Sequence, residues 1–318
     1  MVDANFEPLH RISREILAAG LGCALADGSL NALEVTKVKM QVQSASKPYY
    51  RGGMVGCMRT CIAEDGLWHG LCRPGLGATL VRAMTYVGFR VGLYPSVRDR
   101  VHHSIDSSAG VYKAGASGSL CAKIMSGMIT GGVGSCLFCP IDVVRVRMQA
   151  EAGTLGPAEP NGNPRLLATG LRRGEPVQYR STWQAFRKIY SSQGWTGLYV
   201  GALPTVARAT LLSGSQLGSY DALKQFAKAR IGLEEAAPLH VSCSLVSGLI
   251  AQTVIQPVDT LRSHVMAGEG RARHHLSVQG IRWLFRGYTA ACCRQGPIML
   301  LQLPLTEQIR IFLGVGAM

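Results

Sequence analysis

Two long stretches of the chain, 124–141 and 236–258, contain no Asp, Glu, Lys or Arg. Both approach the roughly 20 apolar residues needed to cross a bilayer as a helix. Four more apolar segments, about 12–40, 75–97, 202–226 and 289–313, read as helices of the same kind but are broken by Asp27, Arg82, Arg90, Arg208 and Arg294. A charge at the middle of a spanning helix costs about 2.5–3.5 kcal/mol on insertion scales. Those five side chains are therefore expected to face a bundle interior or water. The pattern predicts an all-α membrane protein with six transmembrane helices.

The polar positions repeat. Ala32 to Gln41, Pro140 to Gln149 and Pro257 to Met266 are three versions of one motif, an acid followed by a base three residues on and another two further. The acids are Glu34, Asp142 and Asp259, and the first bases are Lys37, Arg145 and Arg262. Lys39 and Arg147 supply the second base, which His264 replaces in the third copy. A second register follows each motif. Arg82, Arg208 and Arg294 are followed eight residues later by Arg90, Gln216 and Gln302, and sixteen later by Arg98, Lys224 and Arg310. At offset thirteen Asp221 and Glu307 agree, while the first copy has Pro95.

A period this long with an apolar lead-in means stacked units of one object. The chain divides into repeats 1–115, 116–232 and 233–318, each a pair of helices, arranged with pseudo-threefold symmetry around a central cavity. The second repeat carries an enlarged loop, 151–178, rich in Pro, Gly and Ala and expected to be mobile. The third is compressed, so its connecting helix is expected to be truncated or missing. Sixteen residues of helix span about 24 Å, which puts Arg98, Lys224 and Arg310 at one face and the acid–base motifs at the other. The three central guanidiniums then converge on one pocket, where paired hydrogen bonds from each Arg favour an anion with more than one carboxylate.

Composition supports lipid burial: 47% of residues are hydrophobic and 16% charged, against roughly 25% charged in soluble domains. The net charge of +14 raises nucleic-acid binding, but the bases lie in the helical registers and loops with no aromatic-basic platform. There is no phosphate loop, dinucleotide fingerprint or interpretable Ser/His/Asp set, so an enzyme is not expected. Cys136 and Cys139 form an isolated C-x-x-C, and no metal site or cofactor is expected. The ten cysteines read as small core residues and not as a disulfide scaffold. Met1 to His10 has no Arg-rich cleavable presequence.

These motifs resemble the signature of the mitochondrial carrier family, Pro-x-acid-x-x-base-x-base and then Gln. It is complete in the second repeat, has Ala32 for Pro in the first, and has His264 and Met266 in the third. Tyr220-Asp221-Ala222-Leu223-Lys224 matches the family's aromatic-acid-x-x-base signature. The resemblance implies alternating access in the mitochondrial inner membrane, with both termini facing the intermembrane space and a functional monomer. It implies a matrix gate of Glu34, Lys37, Asp142, Arg145, Asp259 and Arg262 with Gln41 and Gln149, whose helices kink at Pro140 and Pro257 but not at Ala32. It implies a cytoplasmic gate of Arg98, Tyr220, Asp221, Lys224, Glu307 and Arg310, limited to two ion pairs by Pro95.

Around Arg82, Arg208 and Arg294 the sequence is similar to the dicarboxylate, 2-oxoglutarate and uncoupling-protein branch. That likeness makes Arg82, Arg90, Arg208, Gln216 and Arg294 the substrate-binding set, and Gln216 favours exchange of malate-like diacids. A proton or anion leak and a degenerate carrier kept as a scaffold are the alternatives. Tyr50-Arg51-Gly52, Trp68-His69-Gly70 and Phe285-Arg286-Gly287 resemble the family's cardiolipin sites, making Gly52, Gly70 and Gly287 lipid contacts through free backbone N–H groups.

Overall fold

A computed structural model describes residues 6–43, 49–108, 116–156, 166–231, 237–268 and 280–314. Among these, ten α-helices follow in the order α1 Phe6–Ser29, α2 Asn31–Val42, α3 Gly53–Asp65, α4 Leu76–Ser108, α5 Ala116–Leu137, α6 Cys139–Glu151, α7 Thr182–Leu198, α8 Ala202–Ile231, α9 Ala237–Ala267 and α10 Tyr288–Phe312. The long helices close a ring in which α1 packs on α4, α4 on α5, α5 on α8, α8 on α9, α9 on α10 and α10 back on α1. At one end of this barrel, here the signature end, α2, α6 and α9 contact one another, with α3 laid against α2 and α7 against α6.

Small residues set the close helix approaches. A Cβ on Gly22 of α1 would collide with Thr306 Oγ1 of α10, a contact tight enough to exclude any side chain there. Apolar side chains point outward instead: Leu17, Leu21 and Leu25 on α1, and Met125, Ile129, Val133 and Leu137 on α5, are all exposed at every fourth position. An outward apolar stripe of that kind suits lipid and not water. No single described helix is long and apolar enough to cross a membrane; by length and composition alone the pairs Ser13–Ser29 with α2 and Ala122–Leu137 with α6 qualify when taken together, bent by 63° and 66°.

The bends follow the prolines only in part: α5 and α6 break next to Pro140, as the sequence suggests. α1 and α2 break at Leu30 although Ala32 replaces the Pro, whereas α9 runs unbroken through Pro257. The first break is held from outside: Asn31 Nδ2 donates to the carbonyls of Cys72 (2.7 Å) and Pro74 (3.0 Å), which precede α4. Pro140 sits in the first turn of α6, where its missing N–H would have had no helical partner.

The enlarged loop is not the mobile segment its composition suggests, as far as its described parts show. Two isolated antiparallel bridges, Leu155 with Leu167 and Leu166 with Pro176, fold 152–156 and 166–178 into a small lobe, and Leu167 is buried. In the third repeat the described residues between α9 and α10 form one 3₁₀ turn, Gly280–Phe285, where the other repeats have α3 and α7. The rest of that connection, 269–279, lies outside the described residues. In the first repeat nine residues separate Gly66 from Gly75, against seven from Gly194 to Gly201 and from Gly280 to Gly287; a π-helical turn, Trp68–Cys72, takes up the excess.

Candidate functional site

The three signature acids meet at the signature end, and each collects one base from each of the other two repeats. Glu34 takes Arg145 (3.5 Å) and Arg294 (2.9 Å). Asp142 takes Arg262 (2.7 Å) and Arg82. Asp259 takes Lys37 and Arg208 (2.5 Å). The side chains of Asp142 and Asp259 are only 2% exposed, so each carboxylate has given up water for two cations, and removing one partner strands a buried charge.

Local sequence explains why the level matches. Arg82, Arg208 and Arg294 are each the seventh residue of α4, α8 and α10, about 9 Å in from the helix start at 1.5 Å per residue. Glu34 and Asp142 lie in the first turns of α2 and α6, each just after a break, while Asp259 lies inside the unbroken α9 two residues after Pro257. The three central guanidiniums do converge, but on the ring acids: they are 17–23% exposed and each is paired with one of the three carboxylates. Asp27, which the sequence marked only as an interruption, is a further partner of Arg294 at 2.7 Å. Six bases thus face four carboxylates, leaving a surplus of positive charge in a poorly hydrated place.

Beneath the ring, Gln41 accepts from Ser263 Oγ (2.7 Å) and reaches Thr260 (3.5 Å) on α9, while Gln149 donates to Asn31 (3.4 Å) on α2. Arg262 also donates to Thr205 at 2.9 Å. The second bases tie each signature to its connecting segment: Lys39 to Cys61 Sγ and the Gly70 carbonyl, both 3.3 Å, and Arg147 to Gln193 at 2.9 Å. His264, fully buried, packs on Trp283 with ring centroids 4.8 Å apart. Cys57 and Cys61 are therefore not membrane-core spacers. The hydrogen bond from the Cys57 thiol, against burial and with the Lys39 ammonium, pulls the Cys61 thiol down to about 6.

Arg90 and Gln216 are brought together elsewhere, on the wall of a cavity of about 360 Å³ that also takes in Tyr94, Ser213, Ser244 and Tyr220. No ring faces the signature ring from the opposite end: among the described residues Arg98 pairs with the adjacent Asp99 (3.1 Å), Arg310 reaches Glu15 on α1 (3.9 Å), and neither Asp221 nor Glu307 is joined to a base, so Lys224 closes no ring with them.

Of the three glycines assigned to lipid, Gly52 and Gly287 do precede α3 and α10, both in the left-handed region. Gly70 does not offer a free N–H: it lies buried inside the π turn, donates to the Gly66 carbonyl and accepts from Lys39. The residue that corresponds to Gly287 is Gly75, seven before Arg82 as Gly287 is seven before Arg294, a spacing legible in the sequence. A Cβ on Gly75 would meet Gln149 Cγ at 2.9 Å, on Gly201 Met266 Cγ at 2.5 Å, and on Gly287 Gln41 Cγ at 3.1 Å. Each long even helix therefore starts against the last signature position of the next repeat.

The family model described as mitochondrial carrier protein matches residues 10–104, 117–230 and 234–316. Over 300 residues the chain is 29% identical to a protein of Aspergillus niger named mitochondrial citrate transporter F, covering 91% of this chain and 86% of that one. It is 28% identical to mitochondrial brown fat uncoupling protein 1 of Canis lupus familiaris, with 92% and 89% covered, and 30% identical to mitochondrial uncoupling protein 4 of Arabidopsis thaliana, with 74% and 70% covered.

Proposed function

Because the chain belongs to the mitochondrial carrier family, and is thus a transporter and not an enzyme, we propose that it exchanges small dicarboxylates such as malate and 2-oxoglutarate across the inner membrane by alternating access. The observation that carries this reading is the sharing of Asp142, Asp259 and Glu34 between a signature base and Arg82, Arg208 or Arg294. A diacid entering from the open end offers carboxylates chemically equal to those already gripping the three guanidiniums. Substitution of substrate oxygens for ring oxygens needs no change in the bonds each Arg makes. It frees the acids, weakens the links among α2, α6 and α9, and so couples binding to opening at the signature end.

On this reading the signature end is the matrix gate, with Gln41 and Gln149 as its braces, and the state described is open to the intermembrane space, where both termini lie. Arg98, Asp221, Lys224, Glu307 and Arg310 join with Tyr220 when the cavity closes from that side. Arg90 and Gln216 read the substrate above the ring. Gly52 and Gly287 hold cardiolipin phosphates, and one chain suffices for transport.

A leak of protons or anions is the second reading, favoured by the relatives named as uncoupling proteins. The neutral Gln216 beside Arg90 weighs against it, because no titratable acid stands at that point of the path. Uptake of labelled malate into malate-loaded liposomes tests exchange, and proton conductance with added fatty acid tests leak. Conductance without exchange overturns the first reading, and silence in both assays favours a scaffold. Thermal stabilisation of the purified protein by malate, 2-oxoglutarate or citrate but not by nucleotides is the independent check.

A further inference from the structure

The lobe of the enlarged loop does more than fold on itself. It is rooted on α6, where Glu151 Oε1 accepts from the backbone N–H groups of Gln178 (2.5 Å) and Tyr179 (3.2 Å). From there it reaches the first repeat at the end of α3: Asp65 Oδ1 accepts from Thr154 N (2.9 Å) and from the hydroxyls of Thr154 and Thr169. It also reaches the third repeat, where Arg172 donates to the Ala267 carbonyl at the end of α9 (3.0 Å). Leu171 packs against both neighbouring cores, one built around Val35, Tyr50 and Leu71 and the other around Val143, Ile189 and Met266. The fit is close, since a Cβ at Gly153 would run into the Thr169 carbonyl and Gly170, at φ +86°, faces the Ala152 carbonyl.

We propose that the 152–156 and 166–178 segments form an intramolecular strap that restrains opening of the signature end. Opening requires α2, α6 and α9 to part, and the strap spans two of the three seams: α6 to α3, which lies on α2, and α6 to α9. Its contacts stand apart from the ion-pair ring, so they hold the closed form whatever occupies the cavity. As a hydrogen bond to a charged group commonly shifts an equilibrium by about tenfold or more, releasing the strap alters the balance between closed and open forms without touching the residues assigned to substrate. This inference rests on the alternating-access reading above.

The test is the double variant T169V/R172A, read by amide hydrogen exchange at 143–151 and 260–267 in detergent and by malate exchange in liposomes. The expected result is exchange of those amides faster by on the order of tenfold, with faster malate exchange and an unfolding temperature lowered by no more than about 2–4 °C. T169S, which keeps the hydroxyl, is expected to match the wild type. Amide protection equal to wild type in a folded double variant overturns the strap, as does T169S behaving like T169V. Faster amide exchange with no malate transport by any version leaves the strap standing and overturns the dicarboxylate reading instead.

Discussion

Arg82 on α4 and Arg262 on α9 share the carboxylate of Asp142 on α6, so a single acid joins all three repeats. Because Glu34 and Asp259 are held in the same cyclic manner, the ring has no spare member, and its loss terms are expected to be coupled.

Arg82→Ala is expected to lower stability by about 3 kcal/mol, since it leaves a buried carboxylate with one cation where two were present. D142N in that background is expected to cost at least about 1 kcal/mol less than D142N alone, the non-additivity of residues in one network. A double-mutant cycle by thermal denaturation measures it, and additive losses contradict the shared-acid geometry.

Arg294→Ala is expected to abolish malate exchange while the protein still folds, because Glu34 keeps Arg145 and Asp27 lies only partly buried. Uptake in reconstituted liposomes, alongside the unfolding temperature, separates the two effects. Wild-type uptake would remove Arg294 from the substrate set.

Gln216→Glu puts a carboxylate on the same cavity wall as Arg90. Malate affinity is expected to fall by at least about tenfold, since the new acid competes for the guanidinium and repels the dianion. The residual uptake is expected to become steeper on the low-pH side, where the introduced carboxylate is neutralised. Competition uptake at several pH values reads both.

The Cys61 thiol, pulled down to about 6 from an ordinary value near 9, makes a pH-dependent contribution to stability. A depressed folded-state value stabilises the fold above the unfolded value and loses that contribution as pH falls through the folded one. The wild type is therefore expected to lose stability from about pH 9 to about pH 6 relative to C61S, with Lys39 left lacking its anionic partner at the lower end. Calorimetric scans of both proteins across that window provide the comparison.

Gly75→Ala is expected to destabilise by about 1–3 kcal/mol, because residue 75 combines φ of +67° with a Cβ position 2.9 Å from Gln149. Gly201→Ala is expected to cost less. Its Cβ presses on the buried Met266 side chain, but its backbone is not in the left-handed region, so no backbone strain is added. Thermal unfolding of the two variants side by side gives the order.

Six helices, three repeats and the identity of the ring residues were legible because charge inside an apolar run is rare and each charge recurred at a fixed offset. What sequence offsets cannot carry is partnership between repeats. Nothing in the order of residues says that Arg82 belongs to Asp142 and not to Glu34 of its own repeat. The break at Leu30 was hidden for a related reason, since it depends on Asn31 reaching carbonyls some forty residues away. Composition misread the described parts of the enlarged loop, 151–156 and 166–178, because Gly marks both flexible and tightly turned backbone, and only contacts such as those on Asp65 tell them apart.

The packing of His264 against Trp283, with the rings tilted at 58°, replaces, in one repeat, a tether that the other two make with Lys39 and Arg147. Lys39 and Arg147 are themselves buried, where mobile ions screen little. They hold directed hydrogen bonds to fixed acceptors, whereas an aromatic contact tolerates sliding, so a nominally symmetric machine has one sector that can shift without breaking its tether.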